Sequence, residues 1–590
     1  MHSIPKALAI SALGLTTLPA LAVDFKLESG VEGKFNSTIT LGTQIRADSV
    51  SPDAYSTQPS LAVPGTAAGK LAGQTGGSDL NYGKGNAIST VLKGVFDLDV
   101  KKDNLGFFVR GTAWRDLVQG QSAVPYGSFT NAFVPNTPLS DRGFAPSAQF
   151  NGAEFRDYYV YGQFGFGDGN KLDAKLGRQV LQWGGSLFTG GGINAAINPT
   201  DFASQFRPGA LPFESKLPLG MVSAKLATGG GWNLEGFLPY ESRAAVLPGC
   251  GTYFDVASFA PEGCNFAGLA GASEQTRLAT NNYLHRNADV KAQDGGQFGL
   301  SASFKSESLN TDFRGYAMNT HSSMPSLRAT VNAAAPGATS MNYANLYVEN
   351  VALLGMSFNS KLNATSALFG ELAYRPNQPI TLNAFDIVSA FVTRAPNSVL
   401  ALNKGVLGVP VGGSFDAYDR FGVVTGSVGA NKVFANAMGA ARVVVAGEVG
   451  FSRVNGLPDP SVLRYGRPLA YNGAAYAGGA PCVDTVAGKT CTNDGYITSD
   501  SWGLRFLVSA TYPGAVGGAT LTPSLLVAND VSGYSYDGTF SQGRTTVRPG
   551  VRADWGNKYF LDLQYTMFSG GAYNLALDRS YLSLVGGLRF

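Results

Sequence analysis

The chain has 590 residues, with 44 Lys+Arg against 41 Asp+Glu and a formal net charge of +3. That balance excludes a polybasic nucleic-acid surface, and no nucleic-acid partner is expected. Charged residues make up only 14%, against roughly 25% in soluble domains, while Gly (76) and aromatics (11%) abound, which describes a wall of strands rather than a soluble core.

The N-terminus, "MHSIPKALAISALGLTTLPALAVDF", has Lys6, an apolar stretch from Ala7 to Leu18, and the small-x-small pattern Ala20-Leu21-Ala22. This predicts a secretory signal peptide over 1–22, cleaved after Ala22, and leaves 23–590 as one domain. The competing reading, a helical anchor, needs roughly 18 apolar residues. The stretch is shorter and is followed by Asp24, Lys26 and Glu28.

A first strand is expected over about 30–46. "VLKGVFDLDV" (91–100) then alternates apolar and polar positions, residues 101–104 supply a turn, and "LGFFVRGTAW" (105–114) resumes the alternation. The same unit returns as "RDYYVYGQFGF" with "KLDAKLGRQVL", as "MVSAKLA" with "WNLEGFLPY", and as "FGLSASFK" with "LNTDFRGYAM". Near the end come "SWGLRFLVSATY" with "TLTPSLLVAND", and "TVRPGVRADW" with "YFLDLQYTMF". Period-2 patterns separated by Gly/Asn/Asp turns are hairpins.

Short turns (101–104, 167–170, 228–231, 306–308, 360–363, 435–437, 513–518, 556–558) alternate with long polar loops (47–86, 117–152, 184–217, 242–294, 320–344, 376–416, 455–498, 532–542, 569–578). That asymmetry is expected of an outer-membrane barrel, with short periplasmic turns and long extracellular loops. The fold class is therefore all-β: a transmembrane antiparallel β-barrel of about 18 strands (16–18), in the outer membrane of a Gram-negative bacterium. Its first partner is outer-membrane lipid.

The chain ends on "YLSLVGGLRF", with Phe590, Leu588, Gly586, Leu584 and Leu582 on one face. A sheet edge in lipid would leave backbone groups unpaired at several kcal/mol each, so this last strand must pair with the first. The terminal Phe590 also resembles the signal read by the outer-membrane assembly machinery, a second expected partner. Cys250/Cys264 and Cys482/Cys491 fall as close pairs inside long loops and read as disulfides. Their spacing does not suit a metal site, so no metal and no cofactor are expected.

Taking the apolar set as lipid-facing places Arg544, Arg548 and Arg552 in an inward ladder, joined by Arg505. Asp97, Asp99, Asp157 and Asp173 face inward from the early strands, as do Lys93, Glu371, Arg375 and Glu448 elsewhere. Acids early and arginines late would give a transverse field able to orient solutes. The alternative is ordinary lumen charges paired with their neighbours. Pro523 and Pro549 remove ladder donors and weaken their registers locally. Loop 184–217 offers Phe188, Asn194, Asn198, Asp201, Phe206 and Arg207; it either folds inward to constrict the pore or caps the surface.

"LGRQVLQWGGSLFTGGGINAAINPTDFASQFRPGA", with "GTYFDVASFAPEGC", "GEVGFSRVNGLPD" and "LQYTMFSGGAYNLALDRSYLSL", resembles the outer-membrane "domain of unknown function" family numbered 1302, common in proteobacteria such as pseudomonads. "WGGS" stands where that family places an acidic residue after WG. The resemblance covers essentially the whole mature chain. It implies a large barrel, often encoded near a periplasmic partner protein and a resistance-nodulation-division transporter, in catabolic settings involving hydrophobic compounds.

Three functions follow. A channel for small organic solutes of hydrophobic or amphipathic character needs only a charged lumen and a constriction. A docking component of an envelope export system, or a surface receptor, would work through its loops. A hydrolase would need a nucleophile beside a base. Of three His, His2 falls in the signal, His285 in a loop, and His321 beside Ser322, which an extended strand turns to the opposite face. No enzyme is expected.

Overall fold

In the computed structural model the described residues are 23–71, 77–255, 257–269, 272–476, 478, 482, 484, 486 and 488–590; the expected signal peptide lies outside them. Eighteen antiparallel strands form the wall. They are β1 (Glu32–Arg46), β2 (Ala87–Lys102), β3 (Leu105–Asp116), β4 (Asn151–Phe166), β5 (Asn170–Gln179) and β6 (Leu219–Ala227). Next come β7 (Trp232–Pro239), β8 (Phe298–Ser306), β9 (Thr311–Thr320), β10 (Val351–Asn363), β11 (Ser366–Thr381) and β12 (Tyr418–Ala437). The wall ends with β13 (Ala440–Asn455), β14 (Asp500–Val516), β15 (Ala519–Ser532), β16 (Thr545–Trp555), β17 (Tyr559–Ser569) and β18 (Tyr581–Arg589).

Each strand pairs with its sequence neighbours, and β1 pairs with β18, Thr38↔Arg589 through Arg46↔Tyr581, so the sheet closes. Ser37 and Phe590 exchange both backbone hydrogen bonds at the seam's lower end (2.7 and 2.9 Å). Beyond them Val23–Lys26 continues the line of β18 along β1. Closure is what a strand wall in hydrocarbon requires, because it alone leaves no edge.

The outward face carries exposed apolar residues on alternate positions, for example Leu92 on β2, Leu300 on β8, Leu504 and Phe506 on β14, and Leu582 and Leu584 on β18. Trp232, Phe304, Trp555 and Tyr559 stand outward near the short turns, and Phe298, Phe451 and Trp502 near the loops. An apolar band between aromatic rings at both ends is the signature of a barrel seated in an outer membrane. Pro549 has the predicted effect: the β16–β17 pairing skips from Val547↔Met567 to Gly550↔Gln564. At Pro523 likewise the β14–β15 pairing skips from Ser509↔Ser524 to Tyr512↔Leu521, while the β15–β16 register runs unbroken.

Above the barrel the long loops fold into a cap. Short strands Phe266–Ala267, Leu284–Arg286, Met341–Leu346, Ser326–Val331 and Ser414–Asp416 make a five-stranded sheet of their own. Its core includes Leu284, Val331, Met341, Phe391 and Leu400. Cys250–Cys264 and Cys482–Cys491 are bonded. At the mouth, Arg46 at the end of β1 donates to the carbonyls of Asp79 and Tyr82 (2.7 and 2.8 Å) and to the Asp578 carboxylate (2.7 Å). Arg579 pairs with Asp79 at 2.7 Å. Arg579 also donates to the carbonyl of Tyr253, so these buried contacts tie loops 47–86, 240–297 and 570–580 together beside the seam.

A crosslink over a loop of about 15 residues stabilises by ~3 kcal/mol. The double variant Cys250→Ser/Cys264→Ser is therefore expected to be cut by trypsin in loop 240–297 about tenfold faster, with the barrel's resistance to room-temperature dodecyl sulfate unchanged. Equal cutting rates would contradict a stapled cap.

Candidate functional site

Loop 180–218 leaves β5, crosses the bore and returns to β6. It contains the short helical turns Asn194–Ala196, Phe202–Gln205 and Pro212–Ser215. Of the two placements open to the sequence, the structure takes the inward one. Trp183, Ile193 and Ile197 pack on inward side chains of the wall: Leu219, Met221, Phe237, Tyr316, Met318 and Leu353.

Two wall carboxylates hold its Gly-rich half. Glu371 on β11 accepts hydrogen bonds from the backbone N–H groups of Gly185 (2.7 Å), Ser186 (3.1 Å) and Ile193 (3.0 Å). Glu448 on β13 accepts from Leu187 N (3.0 Å), Phe188 N (2.7 Å) and Ser186 Oγ (2.6 Å). Arg375 on β11 donates to Gly192 O at 2.8 Å. A Cβ at Gly192 would displace the Glu371 carboxylate, and one at Gly185 would meet the carbonyl oxygen of Gly370 at 2.5 Å, so glycine is what lets the backbone approach this closely. Gly185-Ser186, where the family expects an acid, thus supplies donors to a wall carboxylate.

The other half is fastened to β1–β4. Lys93 on β2 donates to Gly209 O (2.7 Å) and pairs with Glu214, both side chains almost wholly buried. Arg156 on β4 donates to Lys216 O (2.6 Å) and contacts Asp201 at 3.2 Å. Gln44 on β1 donates to Phe206 O at 3.1 Å. Arg110 on β3 lies 3.9 Å over the Phe213 ring. Because β4 and β13 are half a circumference apart, the loop spans the bore from wall to wall.

The six expected loop residues divide by role. Phe188 is half-exposed at the tip, beside Leu187, which is 57% exposed although it stands inside the bore. Asn194 opens the first helical turn. Asn198 is buried, donating to Gln179 O and Leu217 O and accepting from Leu181 N. Asp201 is wholly buried and caps Phe202–Gln205. Phe206 stacks on Phe254 (4.4 Å), and Arg207 lies 4.2 Å over Trp114 and donates to Ser147 O. The last four fasten the loop; they do not face the bore as a constriction-lining set.

The expected arginine ladder is also revised. Arg505 and Arg544 share one partner, Asp530, each at 2.7 Å, and Arg544 precedes β16 instead of lying on it. Arg552 binds Asp554 at 2.9 Å. Only Arg548 has no ion pair among the described residues, and its buried Nε has no acceptor. The early acids are engaged as well: Asp97 takes a bidentate pair from Arg110 (both 2.7 Å), Asp157 lies 3.7 Å from the same arginine, and Asp99 accepts from the Tyr161 hydroxyl (2.7 Å). Asp173 shares a lumen cavity of about 330 Å³ with Lys175, Lys225 and Glu235. Most of these charges are therefore paired locally, whereas Asp99, Asp173 and Arg548 have no ion pair among the described residues. His321 is held at both ring nitrogens by the backbone of Gly295 and Asn350.

Arg156 and Glu214 went unrecognised in the sequence. Between Val109 and Gly111 the β3–β4 register shifts, so adjacent Arg156 and Asp157 both turn inward, which strict alternation forbids. Glu214 lies in the loop itself, 121 residues from Lys93.

These contacts define the class: a porin-like outer-membrane β-barrel whose bore is narrowed by one of its own loops. The chain belongs to the family described as "Protein of unknown function (DUF1302)", whose model matches residues 3–590. Among solved structures it is similar to the outer membrane channel DcaP of Acinetobacter baumannii, at 8% identity and TM-score 0.36, covering 96% of this chain and 99% of that one. It is also similar to a BenF-like porin from Pseudomonas fluorescens Pf-5, at 10% identity and TM-score 0.40, covering 95% and 98%. No curated protein matches it.

Each anchoring carboxylate accepts three hydrogen bonds, and bonds to a charged group are worth about 1.5–3 kcal/mol apiece. The double variant Glu371→Ala/Glu448→Ala is expected to free residues 184–192 and to raise single-channel conductance in planar bilayers at least about twofold. Unchanged conductance would show that these carboxylates do not hold the bore closed.

Proposed function

We propose that this protein is an outer-membrane channel for passive passage of small organic molecules of hydrophobic or amphipathic character, and that it works without catalysis or a cofactor. The observation that carries the reading is the loop bonded from β4 to β13 through a polar bore, presenting Leu187 and Phe188 where a solute must pass. An apolar tip in a polar constriction favours solutes with one apolar face over sugars and simple ions. Arg548 is the cation such solutes meet, because its neighbours are neutralised by Asp530 and Asp554. On this reading residues 1–22 are removed at export, 23–590 form one domain, and the strand ending at Phe590 presents the chain to the assembly machinery.

A second reading is favoured by the folded cap, whose own sheet and disulfides exceed what a bare pore needs. There the chain is a surface receptor, or the docking component of an export system with a periplasmic partner and a resistance-nodulation-division transporter at its short turns. Solute flux through the purified protein in liposomes separates the two: flux supports the channel, and its absence supports the receptor.

Planar-bilayer reversal potentials test Arg548. Arg548→Ala is expected to shift the chloride-to-potassium permeability ratio toward potassium by about threefold, and Arg544→Ala by less, because Asp530 keeps Arg505. An equal or smaller shift for Arg548→Ala would remove its solute-facing role.

A further inference from the structure

The cap contains two adjoining apolar cavities, of about 240 and 110 Å³, which share Phe259, Ala267, Gly268, Ala384 and Leu469 as common walls. Their linings come from six of the nine long loops: 117–150, 240–297, 321–350, 382–417, 456–499 and 570–580. These loops rise from all around the barrel, so the place where they meet lies over its axis, between the outside medium and the bore.

The smaller cavity is walled chiefly by aliphatic and aromatic side chains, among them Leu284, Met341 and Ile387. The larger is also mainly apolar but holds two buried polar groups with unmet bonding capacity. Glu274 is fully buried; its Oε2 accepts from the Tyr126 hydroxyl, while Oε1 has no partner. Arg467 is 7% exposed; its terminal nitrogens donate to the carbonyls of Tyr471, Lys489, Thr490 and Thr492, while Nε has no acceptor. Leaving such groups unsatisfied in an apolar setting is unfavourable. Both residues line the larger cavity, and a ligand oxygen that reached these atoms would satisfy them: a hydroxyl can donate to Glu274 Oε1, and a hydroxyl or carbonyl can accept from Arg467 Nε.

Apolar cavities of this size take apolar guests; about 150 Å³ suffices for a single aromatic ring. One acid and one base line the larger cavity, so a neutral guest leaves no net charge unbalanced, whereas a charged one would have to be stripped of water.

We propose that the cap is a capture site for an uncharged, mostly apolar molecule bearing one hydroxyl or carbonyl, held over the barrel mouth before it enters the bore. This rests on the channel reading and names where and how its solute is first bound. Cys250 lines the larger cavity, so the Cys250–Cys264 staple serves to keep that wall in place.

The test uses the full-length protein in lipid nanodiscs, with 2-naphthol as probe, naphthalene as the analogue lacking oxygen and 2-naphthoate as the charged one, followed by fluorescence titration. Saturable 1:1 binding of 2-naphthol is expected, at least about tenfold tighter than of either analogue. Ala384→Trp and Leu469→Trp, which fill the shared walls, are each expected to weaken it at least tenfold, and Glu274→Gln to lessen the preference for 2-naphthol over naphthalene. Each variant is also inserted into planar bilayers; retained conductance shows a folded, open barrel. Non-saturable binding, or binding untouched by both tryptophans in conducting protein, overturns the capture site and leaves the channel intact. Saturable binding by a protein that neither conducts nor passes solute keeps the site and overturns the channel.

Discussion

The structure depends on one constraint: in hydrocarbon, no backbone N–H or C=O goes unpaired. It is met at the seam, where Thr38–Arg46 of β1 pair with Tyr581–Arg589 of β18 across more than five hundred residues of intervening chain. The seam is closed at both ends by side interactions of opposite kinds. On the periplasmic side Ser37 and Phe590 extend the ladder by two more bonds. On the outer side the buried Arg46–Asp578 pair locks the loop before β18 onto the end of β1. Removing one partner of a buried pair typically costs 3–5 kcal/mol, so this contact can hold the mouth as firmly as backbone bonds hold the wall.

Closure also dictates the interior. Once alternate residues face lipid, the others face one another around the bore, and their charges must be hydrated or paired. Here most are paired within a strand or with a neighbour, as Arg110–Asp97 and Arg552–Asp554 are. Others are committed to the crossing loop, as Lys93, Glu371 and Glu448 are. The loop brings few charges of its own to the centre. It offers backbone N–H groups, freed by glycine to come close, and the wall supplies the carboxylates. A polar wall and the uncharged Gly-rich half of the loop thus make a constriction with an apolar tip.

Much of this was legible in the residues. Period-2 alternation and short Asn/Gly/Asp turns place the strands, and the unequal connections identify the membrane topology. The terminal "YLSLVGGLRF" implies closure. What escaped did so for physical reasons. A bulge at Arg156-Asp157 reverses the facing that alternation assigns, so a principal loop anchor went unnoticed. Arg544, Arg548 and Arg552 look equivalent at even spacing, yet Asp530 arrives from β15 to claim the first and leaves the second alone. Cap strands of two to six residues are too short to show any period. Glu371 and Glu448 read correctly as inward, but nothing local in sequence connects either carboxylate to loop residues 178 or more positions away.

On the channel reading the bore is the solute path and the tip of loop 180–218 stands in it. All four native cysteines are bonded, so a single new thiol reports alone. Introducing Leu187→Cys and adding a bulky, membrane-impermeant maleimide during planar-bilayer recording should cut the current in steps as each channel reacts, while the parent protein is unaffected. Full labelling with no change in current would place the conducting path elsewhere.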